Sequence, residues 1–97
     1  MTELKARLEG EVLRASWSDL EAHVERGALF VVAPDLDLVE VGVAVVSDDA
    51  AAVEGWVNSE ALRRPLPAEI EAWKTGEWGF GTLIAQPFVL VQPGRSA

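Results

Sequence analysis

The sequence predicts an α+β domain: a small mixed or antiparallel sheet of three to four strands with about four helices packed on it. Three observations predict it. Segments with helical apolar spacing and segments of extended character are mixed but do not strictly alternate, which sets the chain apart from a doubly wound fold. Leu29–Val32 and Phe88–Val91 are apolar on both faces, as central strands covered on both sides must be. The length of 97 residues allows one domain, taken as residues 1–92, with 93–97 as a flexible C-terminal tail.

The elements follow in chain order. Leu4, Leu8 and Val12 stand four apart among charged residues, an amphipathic first helix that Gly10 weakens slightly. Ser16 or Ser18 can cap a second helix with Trp17, Leu20 and Val24 as its apolar stripe and Gly27 just past its end. Leu29 to Ala33 reads as a strand and Pro34-Asp35-Leu36-Asp37 as a turn. Leu38 to Val46, with valine at positions 39, 41, 43 and 45, reads as the strongest strand and as the partner of the first in a hairpin. Ser47-Asp48-Asp49 caps a third helix that buries Val53, Trp56 and Val57. A short extended piece, 61–64, precedes a fourth helix that Pro67 starts and Gly76 ends, with Leu66, Ile70 and Trp73 inward. Trp78 to Gln92 is extended again. Gln86-Pro87 is not a tight-hairpin signal, so one long bent strand is expected rather than two paired ones.

Composition narrows the function classes. Sixteen acidic residues face eight basic ones, a net charge of −8, and phosphate attraction needs the reverse, so no nucleic acid and no anionic membrane surface is expected as a partner. With no cysteine and one histidine, disulfides, thiolate catalysis and zinc sites built on Cys or several His are excluded within one chain, and no cofactor or metal is implied. The first residues alternate charge with Leu and Val, so no signal peptide is read and a cytoplasmic location is expected. Hydrophobic residues reach 49%, which argues against disorder and points to apolar surface buried between chains.

The candidate chemistry is sparse. Asp35, Asp37 and Glu40 form D-x-D-x-x-E, but the third acidic position and the glycine of a calcium loop are missing, so turn formation and solvation explain them more simply. Glu40, between Leu38 and Gly42, is expected to be partly buried and paired with Arg63, Arg64 or Lys74. Four tryptophans raise the idea of a stacking site. Trp56 and Trp73 sit at core spacing, whereas Trp17 and Trp78 open their segments and could line an interface. His23 has no Ser or Asp motif beside it, and neither Gly79-Phe80-Gly81 nor any other stretch forms a phosphate loop or a known catalytic signature.

Several blocks together resemble one family. Asp35-Leu36-Asp37-Leu38-Val39-Glu40-Val41, Asp48-Asp49 with Val53, Trp56 and Val57, Ala72-Trp73, and Pro87-Phe88-Val89-Leu90-Val91-Gln92 are similar to the bacterial family catalogued as domain of unknown function 2288. The resemblance runs from about Leu4 to Gln92, and departs from the pattern at Asn58-Ser59-Glu60 and at Phe88. It implies a small bacterial cytoplasmic protein and assigns no residue a role.

The expected function is therefore a non-enzymatic interaction module, a homodimer with a possible protein partner, and Trp17 and Trp78 at the dimer rim. One alternative is a small-ligand binder or enzyme using Glu40 with Arg63 or Arg64. The other is an acidic mimic of nucleic acid, which would need its acids along one face.

Overall fold

The structure, a computed structural model, describes residues 2–76, 78–85 and 88–95. Its elements run α1 (Thr2–Glu11), β1 (Leu13–Ala15), α2 (Trp17–Glu25), β2 (Leu29–Val32), α3 (Leu38–Val46), α4 (Ala50–Asn58), β3 (Leu62–Arg63), α5 (Pro67–Thr75), β4 (Trp78–Ala85) and β5 (Phe88–Arg95). The class is α+β, as the sequence predicts, but among the described residues with five helices on a five-stranded sheet in the order β1-β4-β5-β2-β3. The sheet is mixed: β2 lies parallel to β5 and every other pair is antiparallel. The two strands expected to be central, at Leu29–Val32 and in the segment from Phe88, do lie inside the sheet.

Leu38–Val46 is a helix and not a strand, so the expected hairpin does not exist. The valine run satisfies period two, but apart from Glu40 the segment carries no polar side chain, and such a run packs equally well as a largely buried helix. The local signal that decides is Asp37. Its carboxylate accepts the Val39 backbone amide at 2.9 Å, an N-cap that starts the helix. α3 then buries Leu38, Val39, Val41, Gly42 and Ala44, a face that wraps the 3.6-residue turn.

The last segment also differs from expectation. Instead of one bent strand, β4 and β5 pair antiparallel along their whole length, from Trp78 opposite Arg95 to Ala85 opposite Phe88. Gln86 and Pro87, on which the bent-strand reading turned, lie outside the described residues. β5 continues through Pro93 and Gly94 to Arg95, three residues into the segment read as tail. β1 and β3, of three and two residues, are too short to carry a periodic signal, and β1 was not expected at all.

The pleat sends alternate residues to two cores. On one face Val32, Leu83, Ala85 and Leu90 meet α1 and α3 through Leu8, Leu38 and Val41. On the other, Leu29, Val31, Phe80, Val89 and Val91 meet α2 and α5 through Leu20 and Trp73. The helices thus form a layer on each side of the sheet. α2 starts as the sequence suggests: the Ser16 backbone amide and hydroxyl both donate to Asp19, and these bonds hold the Asp19 carboxyl below the ordinary carboxylate range. Gly27 follows its C-cap with φ +73°, a left-handed conformation that favours glycine. No helix among the described residues is long and apolar enough to cross a membrane.

Candidate functional site

α4 is where the fold is least closed. It carries Val53 and Val57 four residues apart, yet none of its residues is buried, and Val57 remains 47% exposed. Of the three residues expected to be its buried side, Val53 and Trp56 are only half-buried and Val57 is at the surface. The reason is geometric. Asp49 caps α4 by accepting the Ala52 amide at 3.2 Å, immediately after Asp48 at φ 61° has turned the chain out of α3. The helix therefore leans over the end of the sheet without filling the space beneath it.

That space is a groove of about 390 Å³, within the ~300–1,000 Å³ of common ligand clefts. Its floor is Phe30, Leu62, Phe88 and Leu90 from the sheet. Phe30 and Phe88 meet edge to face, with centroids 5.4 Å apart, so the floor is a fixed aromatic surface. Val53 and Val57 form one wall and Ala44 and Val45 of α3 the other. The polar residues lining it are Asp48, Asp49 and Glu54, all exposed and all acidic. Arg64, also exposed, lies over the Phe30 ring at 5.5 Å and does not line the groove.

A second concave surface, of about 560 Å³, opens on the other side of the α3–α4 pair. It holds Glu40 and Lys5 beside Trp56 and Leu4. Glu40 was expected to be partly buried and paired with Arg63, Arg64 or Lys74, and it is neither. It is exposed on α3, and among the described residues it makes no ion pair. The expectation failed with the strand: as a helix, α3 turns Glu40 outward between the buried Val39 and Val41.

Arg63 is used elsewhere. It projects from β3 on the α5 side of the sheet and donates through Nη1 and Nη2 to both oxygens of Glu69, at 2.7 and 2.8 Å. Glu69 also accepts the Leu66 amide at 2.9 Å, which closes the N-terminus of α5. The Arg63 guanidinium, and then that amide, hold the Glu69 carboxyl below the ordinary carboxylate range. A carboxylate depressed in the folded state stabilises above its unfolded value, ~4.3, and loses that contribution as pH falls through its folded value. The pair is partly exposed, about 30% on each side chain, so screening limits its worth. Glu69→Gln should cost ~1 kcal/mol or less at pH 7 in urea unfolding, and nothing once Glu69 is protonated in acid; an equal cost at both pH values would make the pairing irrelevant.

The remaining candidates are dispersed. Asp35 is exposed in the turn before α3, where Asp37 serves as the cap. Trp17 and Trp78 are half-buried and pack against the α2–α5 core, Trp17 with its ring 6.0 Å from Trp73. His23 sits on α2 with the Arg26 guanidinium against Nδ1. Among the described residues no three His, Asp or Glu side chains converge as a metal site would need. One contact was missed by sequence reasoning. Gln92, polar at the end of the apolar run 88–91, donates to the Ala33 and Leu36 carbonyls at 3.0 and 2.7 Å and ties the turn before α3 to β5.

The described residues thus form a three-layer α+β domain with an apolar groove lipped by acidic side chains. The family model for protein of unknown function (DUF2288) matches residues 3–93, and the chain belongs to that family. The solution structure of PA1075 from Pseudomonas aeruginosa, solved by NMR, is similar: 30% identical, TM-score 0.79, covering 95% of this chain and 85% of that one. Among curated proteins none matches.

Proposed function

We propose that this protein is a non-enzymatic cytoplasmic interaction module that acts as a homodimer. The observation that carries the reading is an apolar patch at one end of the α2–α5 face. Leu13 lies opposite Thr82, and Ile84 is two residues on, so the pleat puts both side chains on that face. They are 47% and 45% exposed, and Val12 beside them is 39% exposed. β1 pairs only with Phe80–Thr82 of the eight-residue β4. Leu83–Ala85 therefore has no strand beside it on that edge among the described residues. An open edge next to exposed aliphatic side chains invites a second strand, and a two-fold axis near Ile84 would let one copy close the other. Trp17 and Trp78 belong to the same face, but they pack on its core cluster, so the centre of the proposed interface shifts to Leu13 and Ile84.

Sedimentation equilibrium at micromolar concentration should give the dimer mass, and Ile84→Lys should give the monomer with unchanged circular dichroism. Wild-type protein at monomer mass would defeat the proposal. A second reading, a small-ligand binder, draws support from the concave surface beside Glu40, where Trp56 is the aromatic wall and Lys5 the basic group. Arg63 does not serve there, because Glu69 holds it on the opposite side of the sheet.

A further inference from the structure

We infer that the groove beneath α4 docks a basic amphipathic helical segment of a partner protein. The inference deepens the reading of the chain as an interaction module, and it does not depend on the dimer. Shape is the first ground. α4 is a nine-residue helix with no buried residue, and Val53 and Val57 present an i, i+4 ridge toward a groove whose floor is Phe30 and Phe88. A second helix laid beside α4 would meet that ridge with its own apolar stripe at matching spacing, and set one or two large side chains on the aromatic floor.

Charge is the second ground. The floor is apolar, while the polar residues lining the groove are Asp48, Asp49 and Glu54. On a chain of net charge −8, an incoming segment gains by carrying Lys or Arg flanking its apolar stripe, and an acidic segment is repelled. The same argument disfavours a second copy of this chain here. An isologous contact would set one acidic lip against another. Asp49 is committed to capping α4, which leaves Asp48 and Glu54 as the groups that would meet the basic side chains.

The test uses the full chain and two labelled helical peptides, one with leucine and lysine at amphipathic spacing and one with glutamate in place of lysine. Fluorescence anisotropy at about 150 mM salt should show the lysine peptide binding and the glutamate peptide not binding. Asp48→Asn with Glu54→Gln should weaken binding about tenfold. Asparagine tolerates the left-handed backbone at position 48, so the fold is kept. Glu21→Gln with Glu25→Gln removes the same charge from α2, on the far side of the sheet, and should change the affinity less than about twofold. Val57→Lys, at an exposed position, should abolish binding without lowering the melting temperature. Absence of lysine-peptide binding would overturn the inference, and so would equal loss from the two charge-neutralised pairs. A change of sedimentation mass in Val57→Lys would overturn it too, by making the groove a contact between copies. Sedimentation of the unliganded protein reports separately on the dimer, so either idea can fail alone.

Discussion

Trp73→Ala should lower the unfolding free energy by ~3–5 kcal/mol, read from urea denaturation followed by circular dichroism. The ring is 3% exposed and stands edge-on to Phe80, with centroids 5.2 Å apart, while Trp17 tilts against its other side. Removing it would leave a void between α5, the start of α2 and the centre of β4, lined by Phe80, which is itself fully buried. Relaxation could close only part of that void, because Phe80 is fixed in a strand paired on both sides. A domain of this size has ~5–15 kcal/mol in total, so the substitution would remove a large share of it. Trp73→Phe should cost less, since it retains an aromatic face for Phe80. A folded Trp73→Ala protein that melts as the wild type does and binds a partner differently would mean that the ring is a surface recognition element and not part of the core.

Trp73 was readable because two signals agreed. It stands three residues after Ile70 on a segment that Pro67 opens and Gly76 closes, and the structure keeps both boundaries. α2 was readable for the same reason, with Ser16 before it and Gly27 after it. Leu38–Val46 was misread because its residue types favour strand while its cap favours helix, and Glu40 alone is too little of a polar face to arbitrate. That single misreading hid the site. With α3 taken as a strand, no α3–α4 corner exists, and Phe30, Val53, Val57 and Phe88 have nothing to bring them together. Of the acids at 48 and 49, both read as caps, Asp49 caps α4 while Asp48 makes the turn before it, and the place of both on the lip of a groove depends on tertiary placement. The Arg63–Glu69 clasp spans six residues across a strand-to-helix turn, a separation that neither helical nor strand periodicity marks.

Gly42→Val should destabilise by ~1–3 kcal/mol, because α3 rests on the sheet at this residue. A Cβ at Gly42 would lie 2.4 Å from Leu83 Cδ2, and 3.6 Å from Leu8 Cδ1 of α1. Leu83 and Leu8 are buried, with 0% and 2% exposure, so Leu83 cannot swing into solvent to make room. Helix propensity works in the opposite direction, since replacing a mid-helix glycine by alanine gains ~1 kcal/mol. For Gly42→Ala the two effects nearly cancel if Leu83 finds another rotamer. For valine the branched carbons add further overlap, and the packing cost prevails. The contact can be isolated by a double-mutant cycle with Leu83→Val, which withdraws the δ carbon from the gap. Gly42→Val should cost less in that background, with a coupling of at least ~0.5 kcal/mol. Additive costs would mean that the new side chain is accommodated without meeting Leu83, and that the close approach of α3 to β4 does not require glycine. The same cycle bears on the groove. Gly42 sets how near α3 lies to the sheet, and Ala44 and Val45, two and three residues on, form one of the groove walls. A variant that lifts α3 should therefore also weaken binding of the lysine peptide, even though position 42 does not line the groove.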